Sequence, residues 1–273
     1  MAVYHVSAQM IGRSAGRSSV ACAAYRSGQE LTDERLGKTF DYSKKDGIID
    51  TQILLPANAP AWMADREKLW NAVEVKENRK DAQLAREFQI SLPRELTIEQ
   101  NKALIHEYVK QAFVNKGMVA DVCLHVEKAT DGGAQPHAHI MLTTREVTAD
   151  GFGKKVREWN AKSLLKEQRE LWAQVANHHL EMHGHDMRID HRTLEAQGID
   201  LQPQTKIGPQ SARDRLAAIE EHQQRARENG GKLLAEPQIA LKAITQQQST
   251  FTHRDVARFV NRHTVDAQHS GGV

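Results

Sequence analysis

The sequence predicts an α+β protein in which antiparallel strands are accompanied by amphipathic helices. Apolar and polar residues alternate within residues 3–8, 86–92 and 120–142, which is the period of half-buried strands. Apolar residues recur at helical spacing within residues 97–114 and 163–182 instead. The alternation within 120–142 is interrupted once, by an Asp-Gly-Gly turn signal, so this stretch predicts a β-hairpin.

Composition bounds the class of protein before any motif is considered. The chain has 273 residues, 40% of them hydrophobic, and a net charge of +2. Its mean hydropathy is −0.61, and no apolar run approaches the ~20 residues that span a bilayer, so we expect no membrane insertion. Cys22 and Cys123 lie in apolar-patterned segments as small core residues, which fits a reducing cytosol and a cytoplasmic location. A nearly neutral chain leaves nucleic-acid binding to local basic patches.

The first part of the chain predicts a strand followed by a short helix. Residues 3–8 alternate, a glycine- and serine-rich connection follows, and Ser18 or Ser19 can cap a helix that continues to Arg26. Tyr25 lies on this helix, where a tyrosine by default packs with its hydroxyl at the surface. The polar residues 30–53 predict a hairpin or an excursion from the main fold.

Residues 86–92 predict a strand with two distinct faces. Phe88 and Ile90 share the apolar face, whereas Glu87 and Gln89 share the polar one. If the apolar face joins that of the hairpin, Glu87 and Gln89 lie on the same side of the sheet as the hairpin's polar residues. Glu87 is then equally consistent with an ordinary surface carboxylate and with a functional one.

Three histidines share the polar face of the predicted hairpin. His125 alternates with aliphatic residues on the first strand, and His137 and His139 do so on the second. Reflecting the chain about residues 131–132 sets His125 opposite one of the other two, so the three imidazoles can converge. Three histidine ligands with open coordination positions are typical of a catalytic metal site, although a single histidine is more often an ordinary polar residue. By the same parity Arg145 lies on this face.

The remaining segments predict how the chain is divided. The glycine- and lysine-rich residues 151–155 predict a loop. We expect residues 1–208 to form the main domain and residues 209–235 to form a charged helical linker. Residues 236–273 then predict the start of a further module that is too short to fold alone.

Five segments, in this order, resemble the MobA/MobL family of plasmid relaxases. They are AVYHV from residue 2, AAYRSG from residue 23, REFQISLPREL from residue 86, PHAHIMLTTR from residue 136 and RIDHRTLEAQGI from residue 188. The ordered combination is far more specific than the His-X-His pair by itself. Residues 239–261 resemble the entry to the helicase part of TraA-type relaxase-helicases of conjugative plasmids.

The resemblance implies a fold and a set of site residues. The fold is that of HUH endonucleases, in which an antiparallel β-sheet flanked by helices holds a metal on its open face. Tyr25 matches the family's nucleophile, and Glu87 matches a carboxylate associated with the active site. The family's metal ligands match His125, His137 and His139.

Two positions depart from the family's pattern. Gln89 stands where some relatives have a second glutamate, and Lys206 stands where a histidine is common. Roles at these two positions are therefore open.

The resemblance also implies a reaction and its partners. Family members nick single-stranded DNA at a plasmid transfer origin by tyrosine attack on a phosphodiester, which gives a 5′ phosphotyrosine and a free 3′ hydroxyl, and they can rejoin the strands. A divalent ion assists; magnesium or manganese is expected, while imidazole ligands also suit nickel, cobalt or zinc. Glu87 either accepts the tyrosine proton or orients a histidine. Arg145, which strand parity and not the resemblance places on this face, could add a second positive contact. Accessory relaxosome proteins and a conjugative coupling protein are the expected protein partners.

Two other functions remain compatible with the same residues. Another HUH nuclease, such as a rolling-circle replication initiator or a transposase, would share the site and serve different DNA. A non-catalytic origin-binding module would use the histidines to hold a structural metal. Formation of a covalent protein–DNA adduct separates an enzyme from such a module.

Overall fold

A computed structural model describes residues 4–128, 132–203 and 212–264. The chain separates into two compact units, Ala2–His183 and Gly184–Val273. None of the helices in the described ranges combines the length and the apolar character that crossing a lipid bilayer requires.

The first unit contains all the strands found among the described residues. In chain order they are β1 (Val6–Gly12), β2 (Glu30–Asp33), β3 (Lys38–Asp41), β4 (Ile48–Leu54), β5 (Gln83–Ser91), β6 (Ala120–Lys128), β7 (Ala134–Leu142), β8 (Arg145–Thr148) and β9 (Gly151–Lys155).

Helices occur in both units. Those of the first are α1 (Ser19–Ser27), α2 (Arg66–Lys76), α3 (Ile98–Ala112) and α4 (Lys162–Met182), and those of the second are α5 (Ala212–Ala235), α6 (Gln238–Thr245) and α7 (His253–His263). The predicted start of α3 is confirmed, since Thr97 and Gln100 form a reciprocal capping box there.

Five strands form one antiparallel sheet in the order β1-β5-β7-β6-β4. The predicted hairpin is its β6–β7 pair, in which His125 is the direct partner of His137. This register centres the hairpin on residue 131, as the reflection of the sequence predicts, although residues 129–131 lie outside the described part of the chain. The expected α+β class, with an HUH-endonuclease-like antiparallel sheet flanked by helices, is confirmed.

The apolar face of the sheet packs against α3 and α4. Phe88 of β5 lies 4.9 Å from Phe113 at the end of α3, and Tyr108 of α3 lies 5.2 Å from Trp172 of α4, each measured between ring centroids. All four rings are fully buried. Burial of such large aromatic side chains is the main stabilisation of this layer.

The opposite face, which carries the histidines, is covered over part of its area by α1 and α2. Met141 lies on this face and is buried in the same apolar cluster as Trp70 and Val20. Beside it, Arg66 forms an ion pair with Asp121 of β6 at 2.9 Å, and Trp70 donates its indole N–H to the same carboxylate at 2.9 Å. The resemblance implies that this face is open, whereas in the structure α1 and α2 cover part of it.

One short segment differs from the expectation and another goes beyond it. Residues 151–155 form strand β9, paired with β8, where a loop was predicted. The hairpin predicted within residues 30–53 is confirmed as β2–β3, but the same segment also contains most of β4, an edge strand of the main sheet that was not predicted. Two-stranded ribbons and edge strands bury little side-chain area and can be polar on both faces. The alternation of apolar and polar residues that predicts a strand is then weak.

The second unit is a small helical bundle and begins earlier than residue 208. Its core contains Ile199 and Leu201 together with apolar residues of α5, α6 and α7. Asn229 of α5 is fully buried and exchanges two hydrogen bonds with the backbone of Gln202, at 2.8 and 2.9 Å. The C-terminal part of α5 is therefore part of this bundle, whereas the composition of residues 209–235 predicts an exposed linker.

The Asp121 network predicts a large stability effect. Replacing Asp121 with alanine leaves the guanidinium of Arg66 and the indole N–H of Trp70 buried without their acceptor. We expect Asp121→Ala to lower the free energy of unfolding by about 3–5 kcal/mol, measured by urea denaturation. Asp150→Ala, at an exposed turn, serves as control and should change it by less than about 0.5 kcal/mol. Equal effects of the two substitutions would contradict the importance of the buried pair.

Candidate active site

Three histidine rings meet on the face of the sheet that α1 and α2 partly cover. His137 and His139 project from the central strand β7, and His125 projects from its neighbour β6. The ring centroids lie 5.0–5.4 Å apart, and one nitrogen of each ring lies within 4.8 Å of the others. The structure thus brings together the three histidines that strand parity places on one face.

Each ring donates a hydrogen bond from one nitrogen, and the other nitrogen of His137 lies 4.0 Å from the Glu127 carboxylate. Nδ1 of His139 donates to Glu87 at 3.0 Å, Nδ1 of His137 donates to the Gln135 carbonyl at 3.2 Å, and Nε2 of His125 donates to the Arg26 carbonyl at 2.6 Å. In a neutral imidazole the nitrogen that does not donate keeps its lone pair. A donor bond from the second nitrogen to a carboxylate or carbonyl is also what orients histidine ligands in metal sites.

Burial keeps two of these histidines in the neutral form that binds metal. It is the main reason that the pKa of His125 falls to about 4, and it also lowers the pKa of His137. At neutral pH these rings are therefore unprotonated, and no proton has to be displaced when a cation binds. Three converging imidazoles, each fixed by a second hydrogen bond, fit a divalent metal ion with open coordination positions.

Glu87 is buried directly behind the triad. It lies on β5, where its backbone partner is Met141, so its side chain reaches His139 diagonally across the pair of strands. Gln9 of β1 donates to Oε2 at 2.6 Å, and Arg26 of α1 donates to both carboxylate oxygens. Burial alone would raise its pKa, but hydrogen bonds from His139, Arg26 and Gln9 and the charge of Arg26 lower the pKa of Glu87 to about 2.

Arg26 is a site residue that the sequence patterns do not single out. Its guanidinium holds Glu87 and also donates to the Cys22 carbonyl one turn earlier, at 2.8 Å. From sequence, a basic residue near the end of a helix is ordinarily predicted to be solvent-exposed. The signal that could have found it is the predicted position of Glu87, because a carboxylate buried on that face requires a cation nearby.

Tyr25 lies immediately before Arg26, in the last turn of α1. Its side chain is 47% exposed, and the ring of Tyr42 contacts it edge-on with the centroids 5.2 Å apart. The carbonyl of the next residue accepts the hydrogen bond from His125. The end of the helix that carries Tyr25 is therefore tied to the histidine triad through one residue.

Arg145 is not brought to the triad. Strand β7 ends at Leu142, and Arg145 begins β8 of a separate ribbon, so alternation along β7 no longer decides where its side chain points. Its guanidinium pairs with Glu77 at 2.7 Å and donates to the Gly153 carbonyl at 3.1 Å. The cation that the structure does place near the triad is Arg26, which pairs with Glu87 behind His139.

The two positions that depart from the family's pattern have different outcomes. Gln89 is the direct strand partner of His139, on the face predicted for it. Lys206 lies outside the described residues.

The sheet and its triad define an HUH-endonuclease-like protein, and comparison with known proteins identifies the family. The chain matches the MobA/MobL family over residues 17–215. It is 38% identical to the conjugal transfer protein TraA of Agrobacterium fabrum (strain C58 / ATCC 33970), over 97% of this chain and 28% of that protein. It is 40% identical to the mobilization protein MobL of Acidithiobacillus ferridurans, over 78% of this chain and 63% of that protein.

A solved structure supports the same assignment. The structure described as "Molecular Basis of Vancomycin Resistance Transfer in Staphylococcus aureus" is 34% identical and superposes with a TM-score of 0.65, over 70% of this chain and 100% of that chain. The chain therefore belongs to the MobA/MobL family, and it spans little more than a quarter of the length of the TraA relative.

The triad predicts the residues on which metal binding depends. We expect His125→Ala, His137→Ala and His139→Ala each to abolish measurable binding of Mn²⁺ while the protein remains folded, because each removes one of three ligands. Isothermal titration with Mn²⁺ measures the binding, and circular dichroism checks the fold. His106→Ala, which removes a histidine of α3 that faces Asp50 instead, is the matched control and should bind Mn²⁺ as the wild type does. Unchanged affinity in the three triad variants would refute the site.

Proposed function

We propose that this chain is the relaxase part of a conjugative plasmid protein, a site- and strand-specific enzyme that nicks single-stranded DNA at a transfer origin. The observation that carries the proposal is the hydrogen bond from His125 to the Arg26 carbonyl, which ties the end of the Tyr25 helix to the histidine triad. Support also comes from relatives named for conjugal transfer and for mobilization. Because this chain covers 28% of TraA, the activity of a longer protein is part of the proposal.

The proposed reaction is a transesterification at phosphorus. The phenolic oxygen of Tyr25 forms a bond to phosphorus while the bond from phosphorus to the 3′ oxygen of the preceding nucleotide breaks. The phenol loses its proton to solvent, which the exposure of Tyr25 permits, and the departing 3′ oxygen takes up a proton. A phosphodiester is exchanged for a phosphodiester, so the reverse step can rejoin the strands.

In this proposal the triad of His125, His137 and His139 would hold the divalent ion. When bound, the ion supplies Lewis-acid stabilisation of the charge that builds up on the phosphate oxygens. Magnesium or manganese is the proposed ion, and nickel, cobalt or zinc also suits three imidazoles. His125, His137 and His139 suit this task because each ring is fixed by a hydrogen bond from one of its nitrogens.

Glu87 acts in this proposal as the residue that orients His139 rather than as the base for Tyr25. A carboxylate with a pKa of about 2 is a very poor acceptor for the proton of a phenol, whose usual pKa is about 10. Its hydrogen bond to Nδ1 of His139, in contrast, is made in the resting structure.

The proposed partners follow from the same role. Single-stranded DNA at the transfer origin is the substrate, and accessory relaxosome proteins together with a coupling protein would deliver it. A non-catalytic module with a structural metal is the competing proposal. Among the described residues three histidines converge and Tyr25 is exposed, which favours the enzyme, because structural sites are usually closed by a fourth ligand.

The nucleophile is tested by removing one oxygen atom. We expect Tyr25→Phe to bind single-stranded DNA as the wild type does and to form no covalent adduct, because the ring is kept and the attacking atom is lost. The assay incubates the protein and Mn²⁺ with single-stranded oligonucleotides tiled across the DNA that flanks its gene, and it resolves adducts by denaturing electrophoresis.

Tyr42→Phe is the matched control, since Tyr42 contacts the Tyr25 ring but should not attack. Its adduct should form at close to the wild-type rate. Adduct formation by Tyr25→Phe, or peptide mapping of the DNA to another tyrosine, would reject the nucleophile. Absence of any adduct from the wild type across all the oligonucleotides would count against the enzyme itself.

The two roles of Glu87 give different results for Glu87→Gln. If Glu87 orients His139, the substitution weakens Mn²⁺ binding by about 10–100-fold, and saturating Mn²⁺ restores most of the cleavage rate. If Glu87 is the base, cleavage stays low at every Mn²⁺ concentration. Glu99→Gln, on the exposed start of α3, controls for the loss of a carboxylate and should alter neither quantity.

A further inference from the structure

We propose that Lys45 is the positioning residue for Tyr25, holding its ring for attack and placing a positive charge beside it. The inference rests on the proposed function for its consequence, although the contact itself can be tested without DNA. Lys45 belongs to the segment of residues 42–47 that joins β3 to β4, hereafter the β3–β4 connection.

Lys45 contacts Tyr25 at two places. Its Nζ lies 3.6 Å from the centroid of the Tyr25 ring, over the ring. The same ammonium donates a hydrogen bond to the Tyr25 carbonyl at 3.0 Å. A cation over an aromatic face is attracted by the ring quadrupole, so one group fixes both the backbone and the ring of the candidate nucleophile.

Tyr42, from the other end of the β3–β4 connection, supports the same ring. Its ring stands at 89° to that of Tyr25, the edge-to-face arrangement that aromatic pairs favour. Tyr25 is thus held by Lys45 and by Tyr42 although nearly half of its side chain is exposed. An exposed side chain at a helix end would otherwise lose its orientation to rotamer exchange.

The β3–β4 connection is itself fastened to the strand that carries His125. The Gly47 carbonyl accepts a hydrogen bond from the Val126 N–H at 2.8 Å, and the Tyr42 N–H donates to the Gln29 carbonyl at 3.3 Å. Gly47 has φ +81°, and a Cβ there would lie 2.9 Å from the Val126 carbonyl oxygen. Only glycine allows this close approach without a backbone shift, so the backbone of the β3–β4 connection lies against the strand that carries His125.

A lysine at this place serves the reaction in two ways. Attack on phosphorus requires the oxygen to be aligned with the bond that breaks, and a displacement of about 1 Å can cost about 100-fold in rate. A positive charge near the phenol also stabilises the negative charge that develops on its oxygen during attack. Both effects act on the rate of attack rather than on the affinity for DNA.

The kinetic test compares Lys45→Met, Lys45→Arg and Lys44→Met. With the oligonucleotide that gives the wild-type adduct, and at saturating DNA and Mn²⁺, we expect Lys45→Met to slow adduct formation by about 10–100-fold. Its Kd for that DNA should stay within about threefold of the wild type. Lys45→Arg keeps the cation over the ring and should recover most of the rate. Lys44→Met removes the exposed neighbouring lysine and should leave the rate unchanged.

Two kinetic outcomes would overturn the proposal. A wild-type rate in Lys45→Met shows that Tyr25 does not need Lys45. A weaker Kd with an unchanged rate at saturation would make Lys45 an ordinary phosphate contact. Thermal unfolding of each variant checks that a slow rate does not reflect loss of the fold.

The contact can be measured without DNA, which separates this inference from the proposed function. In protein labelled with ¹³C-lysine, the ε-methylene protons of Lys45 should be shifted upfield by the ring current of Tyr25, and Tyr25→Leu should remove that shift. If the wild type forms no adduct, the proposed function fails while the NMR shift still decides whether Lys45 holds the ring. A Lys45 signal at the ordinary position of exposed lysines overturns the inference.

Discussion

The buried charge of Glu87 is the constraint on which the arrangement of the site depends. A carboxylate removed from water must be surrounded by donors, and here Gln9, Arg26 and His139 supply them. These residues come from β1, α1 and β7, so satisfying one charge fixes a helix and two strands relative to β5. The position of α1 then places the Arg26 carbonyl within reach of His125. The ion pair thus connects the helix of Tyr25 to the strands that carry the triad.

Burial has opposite effects on the acidic and basic groups of the site, and the difference is chemically useful. For His125 it lowers the pKa and leaves a neutral ring, because the protonated form loses hydration. For Glu87 it acts in the direction of protonation, yet the surrounding donors outweigh it and the carboxylate stays charged. A histidine that donates one ring N–H to an ionised carboxylate is strengthened as a metal ligand, and His139 donates to Glu87 in this way.

Strand alternation was enough to predict most of this site. Parity placed His125, His137 and His139 on one face and Glu87 with them, because successive side chains of a strand must point to opposite sides. The same rule failed for Arg145, since it holds only while the strand continues and β7 ends at Leu142.

Other features depend on contacts between segments that are distant in sequence, which no local pattern encodes. Arg26 reaches Glu87 across 61 positions. The core of the second unit also depends on such contacts, because Ile199 and Phe259 pack in it although a long polar segment separates them in the sequence. The role of Tyr25 rested on family resemblance alone, as its local sequence is that of any short alanine-rich helix.

The two halves of the site differ in how they are supported mechanically. His137 and His139 are on a strand hydrogen-bonded along both edges, whereas Tyr25 is near the tip of a nine-residue helix and faces water. In the proposed covalent intermediate the DNA would therefore be attached at the protein surface, and the histidines would keep their positions in the sheet. Transfer of that DNA strand to a new 3′ end would leave the sheet unchanged, because Tyr25 and the histidines belong to different elements.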